Sequence, residues 1–364
     1  MKLSELITYL EEIAPLSLQE SYDNSGLLIG APDKSIHKAL LSLDVTSEVV
    51  EEAVTLHCDV IIAHHPLIFK GIKKLTGSND TERSILKAIK ADIAIYAIHT
   101  NLDNVFHGVN NMLAGKLGLR NLKILSAKYH QLKKIVTFCP VDQANQVREA
   151  MFNAGAGTIG NYDHCSFNQQ GTGTFKGNEN TDPYVGKPGS LHEEAETRIE
   201  TIVPAYLVKP TILAMIEAHP YEEVAYDIYP LENKFEAIGS GMVGELAEPI
   251  PARDFLLNIK KALGCEYIKH NKLVDRQVLK VAVCGGSGSF LIDEAYRAKA
   301  DVFVTGDIKY HEYYEHFGQM TIVDAGHFET EQGIKELLEG LITKKFPNFA
   351  LRISKKNINP VSFL

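Results

Sequence analysis

The stretch IIAHHPLIF, residues 61–69, decides how the chain is read. Ile61-Ile62-Ala63 is a short continuous apolar run, as expected of a strand buried on both faces of an α/β sheet. Two adjacent histidines and a proline stand where that strand stops. The neighbouring segments keep one rhythm. KALLSLDVT (38–46) predicts a strand, SEVVEEAVTL (47–56) a helix and DVIIAHHP (59–66) the next strand. ERSILKAIKA (82–91) predicts a helix, and DIAIYAIHTNLD (92–103) a strand running into a polar loop. A βαβαβ order calls for a parallel or mixed sheet covered by helices. Before it, MKLSELITYLEEIAP places Leu3, Leu6, Ile7, Leu10 and Ile13 on one helical face.

From about residue 236 the rhythm resumes. Helices are predicted over 252–264, 289–299, 309–318 and 330–346, and strands over 279–286, 300–307 and 320–327. The two parts resemble each other. Glu52-Ala53 precedes Asp59 by the spacing at which Glu294-Ala295 precedes Asp301, and each Asp opens an apolar strand. The following strand ends in a histidine with an acid four positions on: His99 and Asp103, then His327 and Glu331. We read a duplicated α/β unit. Between the copies, a strand (133–140), a helix (143–155), short strands and long loops (159–196), a strand (196–204), a helix (209–218) and a strand (224–232) follow a ferredoxin-like order. The fold class expected is α/β: a mixed-sheet core from residues 1–125 and 236–364, with an α+β domain inserted at 126–235.

The chain has 364 residues, 45% hydrophobic and 23% charged, in the range of ordinary globular proteins. Five scattered cysteines without a CxxC pair suit a reducing cytoplasm and argue against a disulfide framework. The N-terminal helix lacks the apolar core of a signal peptide, and no stretch stays apolar for the ~20 residues of a membrane span. A net charge of −9 argues against non-specific nucleic-acid binding.

In open α/β sheets, ligands bind beyond the carboxyl ends of the strands. His64, His65, His99, Asp103, Asp307, His327 and Glu331 all fall at or just past predicted strand ends. Neutral imidazole and carboxylate are ligands of zinc, iron and manganese alike. A His-x3-acid pair shares one face if the residues between turn helically. Glu331 is expected in the first turn of the last helix, where free N–H groups favour a carboxylate. At a strand end, with Pro66 fixing the turn, neighbouring histidines can diverge onto the two ions of a dinuclear site. Any one of these histidines alone would read as a hydrogen-bonded structural residue; the set reads as a metal site. Asp307 and His311, expected one helical turn apart, are candidates for orienting the ligands, and His311 for moving a proton. GGSGS (285–289) fits either a tight strand-to-helix turn or a phosphate cradle without P-loop spacing. YDNSGLLIG (22–30) fits a loop or a site rim. His37, His57, His107, His130, His164, His192, His270 and His316 show no such pattern and are expected at the surface or in packing.

YDNSGLLIG, IIAHHPLIF, IHTNLDN, CGGSGS, TGDIKYHE and GHFETE, in that order, resemble the Nif-three-like family of dinuclear-metal proteins, also named GTP cyclohydrolase 1 type 2-like. The resemblance covers residues 1–125 and 236–364. It implies a toroidal homohexamer with two divalent metal ions per subunit, zinc, iron or manganese, on His64, His65, Asp103, His327 and Glu331. IEAHPYEEVAYDIYPLE (216–232) resembles the end of the CutA and PII-like ferredoxin fold, whose members are trimers. Such an insert would cap the opening of the ring, with HPYEE as a helix-to-strand joint and not a metal motif around His219. The function expected is metal-dependent hydrolysis of a small nucleotide-like substrate, GTP cyclohydrolase-like by resemblance, with His99 or His311 shuttling protons. Metal storage, metal delivery or regulatory binding without turnover is the alternative, and a ring around nucleic acid is set aside by the acidic charge.

Overall fold

Val60–Ala63 is a strand buried at all four residues. It is the middle strand of a five-stranded sheet ordered Gly26–Ile29, Ala94–Ala97, Val60–Ala63, Lys38–Ser42, Ala350–Ile353. The last four are parallel, and Gly26–Ile29 pairs antiparallel with Ala94–Ala97. The strands carry no polar face because apolar side chains cover both. Leu41, Ile62 and Tyr96 pack on one side with Leu3, Leu6, Leu10, Ile334 and Leu338. Leu40, Ile61 and Ile95 pack on the other with Val49, Val50, Ile85 and Ala88. Alternation along each strand supplies both layers.

The computed structural model describes residues 1–362, which divide into two units: 1–127 with the chain from Glu236 onward, and Lys128–Phe235. The first unit also holds a six-stranded sheet ordered Lys269–His270, Thr321–Asp324, Val302–Gly306, Gln277–Ser287, Phe235–Pro251, Arg120–Lys128. Its three strands Gln277–Ser287, Val302–Gly306 and Thr321–Asp324 are parallel, with an antiparallel neighbour on each side.

The repeat read in the sequence has a backbone counterpart. Asp59 Oδ2 accepts the N–H groups of His37 and Lys38 at 2.6 and 3.0 Å. Asp301 Oδ2 accepts those of Leu279 and Lys280 at 3.0 and 2.9 Å. The Asp59 and Asp301 amides donate to Lys38 O and Lys280 O, and their carbonyls accept from Ala94 and Thr321. Each aspartate therefore clamps the start of three parallel strands.

Several expectations needed correction. The helix expected over 309–318 is a 3-10 turn, Tyr310–Tyr314, so Asp307 and His311 do not share a helical turn. The last helix begins at Ile334, behind Gly333, and Glu331 ends a separate short helix, His327–Glu331. Residues 100–103, expected as loop, are helical. The region 159–196 contains a ten-residue strand, Ser166–Phe175, paired along its length with His192–Pro204. Its burial is slight, so no apolar alternation marked it.

The second unit runs strand Leu132–Pro140, helix Ala144–Asn153, strands Ser166–Phe175 and His192–Pro204, helix Val208–Ala218 and strand Tyr226–Pro230. Its sheet is antiparallel, ordered second, third, first, fourth, which is a ferredoxin-like βαββαβ arrangement. Ile135, Cys139, Ile199 and Val203 pack under Val147, Met151 and Met215 of the two helices. His219 closes the second helix: Nε2 lies 2.9 Å from Phe138 O and Nδ1 accepts Tyr221 N–H. Both ring nitrogens are used structurally. No described helix is long and apolar enough to cross a membrane.

If the aspartate clamps hold the two strand triplets, Asp59→Ala and Asp301→Ala should each cost about 1–3 kcal/mol. Denaturant midpoints check this; losses below about 0.5 kcal/mol at both positions would show that strand burial alone sets the order.

Candidate metal centre

His64 and His65 leave the strand Val60–Ala63 while still paired with its neighbour, their amides donating to Ser42 O and Leu43 O. His64 is fully buried, with Nδ1 2.8 Å from Ile98 O. A carbonyl only accepts, so Nδ1 donates and Nε2 carries the lone pair. That Nε2 lies 3.7 Å from both Asp103 Oδ1 and Glu331 Oε1, beyond hydrogen-bond range, and has no partner. His65 is held by Nδ1 on Asp44 Oδ1 at 2.7 Å and turns Nε2 to Glu331 Oε2 at 3.0 Å. His327 is held by Nδ1 on Asp307 Oδ2 at 2.7 Å and turns Nε2 to the same oxygen at 3.1 Å. The Nε2 atoms of His65 and His327 are 3.3 Å apart. Asp307 reaches its partner from a left-handed backbone turn, φ 58°, directly after the strand Val302–Gly306.

The donor atoms thus form two groups around one carboxylate. Asp103 Oδ1 and Glu331 Oε1 each lie 3.7 Å from His64 Nε2 on one side; His65, His327 and Glu331 Oε2 converge on the other. The ligand atoms of His65, His327 and Glu331 lie within 4.8 Å of one another, as do those of His64, His65 and His99. His99 is anchored by Nδ1 on Asp23 Oδ1 at 2.7 Å, and Asp23 also accepts from Thr100. All four histidines are therefore tied at Nδ1, an arrangement that fixes the tautomer of a metal-ligating ring.

Burial and close opposite charges pull the groups of the cluster in different directions. Burial drives His64 down to about 4. Burial would also lower His65, yet hydrogen bonding to Asp44 and Glu331 pushes it up to about 10. The same opposition, with Glu331 and Asp307 prevailing, raises His327 to about 9. Glu331 is held well below the carboxylate range by its histidine neighbours, against its burial. Burial and the charge of Glu331 raise Asp103 well above it. Asp23 is lowered, against burial, by its bonds from His99 and Thr100. Neutral rings anchored at Nδ1 would aim lone pairs at carboxylates and at each other. Either protons or a metal ion must occupy that space, and the unpaired His64 Nε2 fits a metal ion.

The GGSGS segment serves this carboxylate. Gly286 has φ +62°, and a Cβ there would stand 2.2 Å from Glu331 Oε1. The amides of Gly285, Gly286 and Gly288 are taken by Asn110, Thr330 and Thr305 side chains, which corrects the phosphate-cradle reading. Of the sequence candidates, the structure brings His64, His65, His99, Asp103, Asp307, His327 and Glu331 together. It leaves His311 exposed on the Tyr310–Tyr314 turn, edge-on to Tyr310, with no hydrogen bond to the cluster. Sequence reading missed Asp44, just past the strand Lys38–Ser42 where the same strand-end argument applied, and did not single out Asp23 within the segment 22–30 that it offered as a site rim.

The chain matches the family described as Duf34/NIF3 (NGG1p interacting factor 3) over residues 1–360. It is 42% identical over 364 residues, 99% of this chain and 98% of the relative, to a Halalkalibacterium halodurans protein named GTP cyclohydrolase 1 type 2 homolog. A Bacillus subtilis protein of the same name is 39% identical over 99% of this chain and 98% of its own. A crystal structure of a Bacillus cereus protein related to NIF3 superposes with a TM-score of 0.87 at 42% identity, covering 100% of this chain and 99% of that one. Staphylococcus aureus protein SA1388 superposes at 0.78 with 31% identity, covering 100% and 99%.

Two outcomes are expected. Metal binding must displace the protons of His65 and His327, so affinity should rise with pH up to about 10 and about two protons should be released per chain. Calorimetry in buffers of different ionisation enthalpy measures this; pH-independent affinity between 6 and about 9 would remove these rings from the ligand set. Gly286→Ala should displace Glu331 and weaken metal binding while the fold persists, read by metal titration beside circular dichroism.

Proposed function

Because the chain belongs to the Duf34/NIF3 family, we propose that its histidine–carboxylate cluster holds two divalent metal ions, zinc, iron or manganese, and serves metal-dependent hydrolysis of a small nucleotide-like substrate. The observation that carries the reading is the common anchoring of Nδ1, which leaves the ring Nε2 atoms for the site. His64, Asp103 and Glu331 would hold one ion, and His65, His327 and Glu331 the other. Such a pair, when bound, supplies Lewis acidity and a nucleophile usable at neutral pH. The protein's own groups do the rest. Asp44 and Asp307 hold two rings in register. His99, with ring centres 5.1 and 5.4 Å from those of His64 and His65, is placed to move a proton while Asp23 fixes its tautomer. A cavity of about 330 Å³ beside His65 and His327, with Lys269, Asp324 and Phe328 in its wall, receives the substrate. The nucleotide-like substrate rests on the name carried by the two relatives described above. The reading also takes the protein as a toroidal homohexamer, and its second unit as CutA/PII-like on the strength of the HPYEE segment.

Elemental mass spectrometry of purified protein should find about two ions per chain, lost in His64→Ala, Glu331→Ala. His99→Ala should keep the metal and lower turnover of a nucleotide panel about 10²–10⁴-fold. Full metal content without turnover of any nucleotide, phosphoester or amide tested would favour storage or delivery instead.

A further inference from the structure

A cavity of about 640 Å³ is lined wholly by residues of the second unit. This is the size of an ordinary small-molecule site. Phe138, Phe175, Tyr184 and Tyr221 give it aromatic walls, and Glu196 and Arg198 are among its charged residues, with Lys176, Glu222 and Glu223.

Glu196 is 9% exposed, yet its charge is unmatched. Oε1 accepts the Tyr221 hydroxyl at 2.8 Å; Oε2 has no hydrogen-bond partner, and no lysine or arginine pairs with the carboxylate among the described residues. Space was left for it: a Cβ on Gly173 would sit 2.1 Å from Oε2. Arg198, two residues along the same face of the strand and so about 6.6 Å away, does not neutralise it. Its Nη2 pairs with Glu200 at 2.8 Å, its guanidinium lies 6.0 Å from the Phe138 ring centre, and its Nε has no partner. The buried Nε of Arg198 is a donor without an acceptor, which is costly.

We propose that this cavity binds a small zwitterion of amino-acid type with an apolar or aromatic body. Its ammonium group meets Glu196 Oε2, its carboxylate meets the Arg198 guanidinium, and its side chain lies among the aromatic rings.

Calorimetric titration of the full-length protein with each of the twenty L-amino acids tests this, with phenethylamine and 3-phenylpropionate as probes lacking one charge. An apolar or aromatic L-amino acid should bind, and each single-charge probe should bind at least about tenfold more weakly. Glu196→Gln keeps the Tyr221 acceptor and should weaken the amino acid about tenfold or more; Arg198→Met should do likewise. Absence of binding by all twenty at millimolar concentration would overturn the proposal. So would phenethylamine or 3-phenylpropionate matching the amino acid, or undiminished binding by Glu196→Gln. These readouts involve no metal and no turnover, so they stand or fall independently of the hydrolase reading.

Discussion

One buried carboxylate organises the first unit's site. Glu331 accepts from His65 and His327 on one oxygen and faces His64 with the other. Its position depends on features far apart in the chain. The short helix His327–Glu331 presents it, Gly286 leaves room for it, and the strand Val60–Ala63 delivers two of its three imidazoles. Buried charge of this kind is stable only when matched. The surrounding aspartates extend the matching outward, each taking the Nδ1 proton of one ring.

The two halves of this unit contribute unequal chemistry from equivalent backbone. Counted from the clamping residues Asp59 and Asp301, His65 corresponds to Asp307 and Asp44 to Gly286. At one such position a first-half imidazole faces Glu331 while the second-half residue orients another imidazole. At the other, a carboxylate supports His65 in the first half, and the absence of a side chain admits Glu331 in the second. The fold supplies strand ends in pairs; the residues placed on them have diverged in task.

Much of this was legible in the sequence because it rests on short-range rules. Apolar runs at 60–63 and 302–306 marked buried parallel strands, and ligands beyond strand ends follow from α/β architecture. The spacings His99–Asp103 and His327–Glu331 put histidine and acid on one face on condition of a helical turn, and both segments are helical, the first where a loop was expected. What failed lacked a local signal. The strand Ser166–Phe175 is polar and exposed, held by its backbone partners. His311 carries the residue type of a proton shuttle, but the 3-10 turn leaves it in solvent. The glycines of GGSGS were ambiguous because a phosphate and a carboxylate ask for the same open space; only the fold shows that Glu331 fills it.

The strands that flank the second unit, Arg120–Lys128 and Phe235–Pro251, are neighbours in one sheet. The second unit's own terminal strands also lie side by side, with Leu231 N–H bonded to Leu132 O. Closing a chain loop costs entropy that grows with the logarithm of its length. Once the second unit has folded, the effective gap between the flanking strands shrinks from about a hundred residues to about ten, which lowers that cost by about 2 kcal/mol. The inserted segment thus stands where a hairpin turn would, and an insert that is already folded brings the strands on either side closer to pairing.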